Sequence, residues 1–376
     1  LFESLTINLN GFKLSMATAD SQSIIDADLL GIDTKLKLKN GIIERTNSSA
    51  NSYALLIDGC TFSTTSDLTV ISNEGALKLD TTTSKGYLGD AVFKGSGSTV
   101  VLSVNNREVN DFTVENTGTG DALFNNGSED VSNFTAISDS GDCVFWFNGN
   151  INNANCYSNT GNCLQIGSSG TSKGNKIILE SNTGFSIRRS GYGSKTVNLT
   201  DLTVIKGGIT NAGSFTKFSV DGFSVKTLNN APLSGNVDNF DCSNGSFTSE
   251  SATDTVGIIR VNNYFKHVNF KSLNTKCLSL IDSSNVNNSV FEHCSFTSEW
   301  DNVGGNSLDV SGIDGGTADL MNCTFTVANA GANNIYSSDA EEIVLSNSSL
   351  KGATTAINAN VTITASTDLG NGNTQI

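Results

Sequence analysis

VSNFTAISDSGDCVFWFNGNINNANCYSNTGNCLQIGSS, residues 131–169, says nearly the same thing twice. Phe134 and Cys156 stand in similar frames, each followed by Gly-Asx-Cys and a short apolar run, and Phe112 precedes Phe134 by the same 22 residues that separate it from Cys156. Extending the frame in both directions gives apolar markers at Phe12, Ile42, Phe62, Phe93, Phe112, Phe134, Cys156, Ile178, Leu202, Phe223, Phe247, Phe270, Phe296, Phe325 and Leu350. From Phe12 to Leu350 is 338 residues in 14 steps, a mean period of about 24.

The markers sit in polar-apolar alternation, as in KHVNF, EHCSF and MNCTF, and each is followed by a turn and a second short strand such as CLQIGSS or GIIRVNN. A spacing of two is a strand's period, whereas helical repeats of similar length would show 3.6. Strands this short bury nothing alone and become stable only by stacking on the coils before and after. The sequence therefore predicts an all-β parallel solenoid of about 15 coils, one domain over residues 1–376, with apolar residues stacked inside and Ser, Thr, Asn and charged residues facing water.

Composition agrees. One Pro, 37 Gly and abundant Ser, Thr and Asn suit tight turns between many strands, and 37% hydrophobic residues suffice for an extended core. The charge is 22 − 37 = −15, spread along the chain, which argues against nucleic acid and anionic membrane as partners. No apolar run is long enough to insert into a bilayer. The chain starts at Leu1 without a signal-like segment, which suggests a processed or partial chain. Of the eight Cys, Cys60, Cys294 and Cys323 each precede a marker Phe by two residues, and Cys143 and Cys163 share a frame 20 residues apart. A residue recurring in one inward slot acts as a small hydrophobe, so free buried thiols are expected. The fragment GIDGGTAD (312–319) is a lone piece of a calcium-binding pattern and reads as a turn, and the Asn-x-Ser/Thr triplets at Asn133, Asn198 and Asn322 are expected by chance in such a chain.

LTINLNGFKL (5–14), LKLKNGII (36–43) and coils such as VNNSVFEHCSFTSEW (286–300) resemble the right-handed, single-stranded parallel β-helix of the pectate-lyase-like superfamily, and most of all the bodies of bacteriophage tailspikes. The likeness covers nearly the whole chain. It implies a receptor-binding protein of a virion tail, or one at an extracellular or cell surface, that forms a homotrimer and binds, with or without hydrolysing, a host surface polysaccharide. A non-enzymatic bacterial adhesin and a structural spacer in a virion or filament are the other classes the scaffold serves. The Gly-His-Gly segment of the polygalacturonase-like members is missing, since the only histidines are His267 and His293 in KHVNF and EHCSF. No carboxylate cluster has the spacing of a calcium site, and neither metal nor other cofactor is expected.

Three groups of outward residues invite a polysaccharide. His267 and His293 each lie three residues before a marker and should stack in adjacent coils. Alignment of GIIRVNN, CLSLIDSS and SLDVSGI sets Arg260, Ser279 and Asp309 in one outward row, with Gln165 and Arg188 earlier on the same strand. The longest late coil, 29 residues from Phe296 to Phe325, owes its length to TSEWDNVGGNS, which carries Glu299, Trp300 and Asp301. Loops that interrupt a regular scaffold are where binding and catalysis concentrate. Glu299, Asp301 and Asp309 are the expected catalytic carboxylates, since glycoside hydrolysis needs an acid and a base or nucleophile. Trp300 is the expected stacking platform, and Arg260, Ser279 and His293 the expected sugar contacts. Trp146, in CVFWFNG, is the other aromatic candidate, and packing in the core or a subunit interface suits it equally.

Overall fold

The structure, a computed structural model, describes residues 3–17, 22–27, 34–46, 49, 51–80, 86–105, 107–167, 169–189, 193–211, 215–228, 230–237, 239–260, 263–282, 288–313 and 317–363. Every element among them is a strand or a turn, and every strand pairing is parallel. The chain is a β-solenoid of about 13 turns. Its contacts divide it into two compact units, Leu1–Arg188 and Arg189–Ile376.

In the first unit the coil is a long bent strand, a turn, a three-residue strand and a second turn. Val109–Asn116, Asp130–Ser138 and Gly149–Ser158 are successive copies of the bent strand, and Leu123–Asn125, Val144–Trp146 and Leu164–Ile166 of the short one. The bend has a chemical cause. Asp111, Asn133 and Asn153 hold φ of 56°, 52° and 52°, a left-handed conformation that Asn and Asp tolerate because their short polar side chains hydrogen-bond locally. The same corner in the second unit is taken by Asp201, Gly222, Asn244, His267, His293, Asn322 and Asn347.

Counted from the corner residue, the first and third positions point inward and the second outward. Phe112, Phe134, Leu202 and Phe223 are first, and Phe93, Cys156, Phe247, Phe270, Phe296, Phe325 and Leu350 are third; all are buried. Phe12, Ile42 and Ile178 are second, and they fail the sequence expectation: Phe12 is 73% and Ile178 37% exposed, and Ile42 is half-buried. Phe62 lies on the strand before the bend, over Leu36. The markers thus trace two inward columns. Cys156 stacks over Ala136, and Phe134 over Ala154, so the two halves of residues 131–169 are offset by two.

The Gly-Asx repeat belongs to the turn. A Cβ at Gly141 would collide with the carbonyl oxygen of Gly120, and one at Gly161 with that of Gly141. The following Asx accepts a backbone N–H from the next coil: Asp121 from Asp142 at 3.0 Å, Asp142 from Asn162 at 2.8 Å, and Asn162 from Phe185 at 3.2 Å. Glycine lets the coils approach, and the Asx side chain satisfies the donor that the turn would leave buried.

In the second unit the inward columns are aromatic. Phe270, Phe296 and Phe325 stack with centroids 5.1 and 4.9 Å apart and planes within 8° and 4°. Phe265 and Phe291 form the neighbouring column at 5.2 Å. All eight cysteines are free and buried, and burial pushes the Cys156, Cys242 and Cys277 thiols up, as expected of small core residues. Trp146 is core as well, its Nε1 donating to Gly149 O at 3.1 Å.

Candidate functional site

The expected row through Arg260, Ser279 and Asp309 does not form. Arg260 pairs in register with Ile281, while Ser279 pairs with Ile258 on one side and Asp309 on the other, so the alignment had slipped by two residues. The side chain of Arg260 lies outside the described residues. Ser279 and Asp309 do stand at adjacent rungs, but both are covered, at 6% and 7% exposure. Asp309 is held by Lys276 Nζ at 2.6 Å and by Ser311 N at 3.0 Å and Oγ at 2.5 Å. Burial pushes its acid up, yet the Lys276 and Ser311 hydrogen bonds outweigh it and hold the carboxyl below the usual range. A carboxylate tied down in this way is neither a general acid nor open to substrate.

The Glu299 to Asp301 loop is outside the core as expected, but its carboxylates are engaged separately. Glu299 pairs with Lys271 Nζ at 2.7 Å, and Asp301 accepts from Asn329 Nδ2 at 3.0 Å. Trp300 is half-buried on its own loop, near enough to Gly304 that a Cβ there would lie 3.2 Å from Cζ3. His267 and His293 are exposed and stacked at 4.9 Å with planes 17° apart, as their spacing predicts. Asn244 and Asn322 take the same corner position before and after them. Gln165 is half-buried and Arg188 exposed.

A groove of about 400 Å³ that the repeat spacing does not reveal runs along the first unit. One wall is an in-register outward row of Glu115, Ile137, Tyr157 and Glu180. Its coils are 22, 20 and 23 residues long, and two glutamates flank an Ile and a Tyr in it, so only the strand register brings the four together. Ile137 and Tyr157 stay 37% and 39% exposed, and Ile178, on the next rung, lies two residues off this row, over Asn155. The other wall is the turn row Asp139, Asn159 and Asn182. Asn159 Nδ2 donates to Asp139 Oδ1 at 2.9 Å, and Asn182 Nδ2 to Asn159 Oδ1 at 3.4 Å. Lys94 Nζ pairs with Glu115 at 2.7 Å from the rung below.

A second groove, of about 380 Å³, lies in the second unit along Asp241, Tyr264 and Val290. Lys217 pairs with Asp241 at 2.8 Å, and Tyr264 Oη donates to Glu292 at 2.8 Å. That bond, with Lys266 and His293 adding, holds the Glu292 acid below its usual range. The polar groups of this second groove satisfy one another, whereas the first sets the exposed Ile137 and Tyr157 against carboxylates and amides. An edge of this kind offers a sugar ring an apolar face and matches its hydroxyls with acceptors and donors. Among the described residues, no cluster of three or more His, Cys, Asp or Glu could hold a metal ion. Comparison of the chain with protein-family models, with curated proteins and with solved structures finds no match.

Proposed function

We propose that this solenoid binds an extended surface polysaccharide along the groove of its first unit, as the receptor-binding body of a phage tailspike would. The observation that carries the proposal is the exposed pair Ile137 and Tyr157, in register on consecutive rungs between Glu115 and Glu180 and bordered by the Asp139, Asn159 and Asn182 row. Rungs about 4.8 Å apart place these groups along a chain of sugars rather than around one. Tyr157 supplies the ring face, and the carboxylate and amides fix the hydroxyls.

The reading is binding without cleavage. Hydrolysis needs two carboxyl groups about 5 to 10 Å apart acting on one bond, and Glu299, Asp301 and Asp309 are each held by a different partner. A tailspike role further entails a homotrimer on a virion tail, which sedimentation of the purified chain tests directly. The functional test is a glycan array probed with the wild type and with Tyr157→Ala, followed by a reducing-end assay on any ligand found. Binding that Tyr157→Ala abolishes, with no new reducing ends, is the expected result. An array silent for both proteins would favour a structural spacer.

A further inference from the structure

The lining of the first groove is one-sided in charge. It carries Glu115, Asp139 and Glu180 and no Lys, Arg or His. Glu115 is already paired with Lys94, whereas Asp139, at the lower end of the turn row, accepts from Asn159 and is bonded to no basic side chain among the described residues. The amide row is also directional. Each amide donates toward the rung below, from Asn182 to Asn159 to Asp139, so the row ends on a carboxylate that can only accept. Tyr157 is the rung next to Ile137 and directly above it in register, with its ring exposed beside this row. An aromatic face next to carboxylates attracts an ammonium group, and an ammonium adds to its hydrogen bond on Asp139 a direct charge–charge attraction that a hydroxyl lacks. An acidic sugar meets the opposite situation, with no cation in the groove to receive it and a chain of net charge −15 repelling it at longer range.

We propose that the groove selects polysaccharide carrying free amino groups over its N-acetylated and uronic-acid counterparts, with Asp139 as the partner of the ammonium and Tyr157 as the platform for the ring. The proposal rests on the glycan-binding reading and narrows it to a substrate class.

Titration calorimetry of the full chain with three hexasaccharides tests it: a glucosamine hexamer, its fully N-acetylated form and a galacturonic acid hexamer, at low salt and at a pH that keeps the amine charged. The amine hexamer should bind at least about tenfold tighter than the N-acetylated one, one RT-scale decade of affinity, and the uronic acid hexamer should give no measurable heat. Asp139→Asn should abolish the preference, so that the variant binds the amine and N-acetylated hexamers with affinities within about twofold of each other. The substitution is tolerated by construction, since Asn159 and Asn182 occupy the same position in the next two coils. Equal affinity for amine and N-acetyl forms, preference for the uronic acid, or a uniform loss with Asp139→Asn would overturn the proposal. A hexalysine peptide binding as tightly as the amine hexamer would also overturn it, because the groove would then be reading charge and not sugar. If the N-acetylated hexamer binds in a Tyr157-dependent way without the amine preference, this inference fails and the glycan reading stands. If no hexamer binds, both fall.

Discussion

The coils around residues 115–182 and the coil that carries residues 299–309 solve the same problem in opposite ways. The first keep to 20–23 residues, cross each turn on a glycine, and pass the chain upward through one Asx hydrogen bond per rung. Regularity leaves their outward side chains in fixed rows, and a groove forms where an apolar strip runs beside a polar one. The late coil spends its extra residues on itself. Its backbone folds back through Asn302 N to Trp300 O and Gly305 N to Asn302 O, and each carboxylate is taken by a neighbour. Under the proposed function the general preference of function for loops points away from the groove, since in a solenoid the repeat itself can present a surface.

The sharpest way to break this contrast is to disturb the core beneath the late coil. Phe296 is sandwiched between Phe270 and Phe325, so Phe296→Ala removes ring contacts on both sides and leaves a cavity that stacked backbones cannot collapse into. A loss of about 3–5 kcal/mol is expected from such truncations, read as a lower urea midpoint. A loss under about 1 kcal/mol would mean that the late coil is not stabilised by its aromatic column.

Glycine separates the two kinds of turn next. At Gly141 an added Cβ meets backbone, the Gly120 carbonyl, whereas at Gly304 it meets the edge of the Trp300 ring at 3.2 Å, which can shift. Gly141→Ala should cost about 3 kcal/mol or more and Gly304→Ala less than about 1 kcal/mol. Equal costs in denaturant titrations would erase the distinction between a ladder turn and a self-contained loop.

The Asx ladder also carries a pH signature. Burial, with the Asp142 carboxylate adding to it, pushes Asp121 up to about 6 despite the N–H bond from Asp142. An acid whose folded value lies above its unfolded value favours folding when protonated. Its contribution is fully present below about pH 4 and is lost as the pH rises through 6. Asp121→Asn keeps the acceptor for the Asp142 N–H and removes the charge, as Asn162 does two coils on. At pH 7 the variant should be more stable by about 1–2 kcal/mol, and the gain should vanish near pH 4. A variant that is less stable at both pH values would show that the Asp121 charge is solvated or compensated.

Much of this fold was legible from spacing alone. A period of about 24 with alternation of two demands parallel stacking, and twelve of the fifteen markers lie in the core. The misplaced Phe12, Ile42 and Ile178 show the limit. Two inward positions flank each outward one after the corner, so a frame matched by composition can slide by one or two residues and still look apolar. The left-handed corner residue would have anchored Phe12 and Ile42, which follow Asn10 and Asn40, but not Ile178, whose corner is Lys176. The same slip joined Arg260 to Ser279 and Asp309 in a row that register does not form. The groove was illegible for another reason. Glu115, Ile137, Tyr157 and Glu180 show no repeated residue from one rung to the next, and coil lengths that vary from 20 to 23 hide their pairing from any fixed-period comparison.

The smallest expected effect is the most informative about where the function lies. Glu299 and Lys271 form an ion pair with half of the Glu299 side chain exposed, and water screens such pairs so well that they contribute at most about 0.5 kcal/mol. Asp301 is exposed and accepts one amide hydrogen bond from Asn329. Glu299→Gln and Asp301→Asn preserve shape and most of the hydrogen bonding, so the urea midpoint of each should match the wild type within error. If the groove of the first unit is the binding surface, both variants should also retain full glycan affinity, while Tyr157→Ala loses it with the fold intact. The reverse outcome, with Glu299→Gln or Asp301→Asn losing binding or reducing-end release and Tyr157→Ala behaving as wild type, would return the site to the late coil. Its extra residues would then be a built surface and not a self-contained detour.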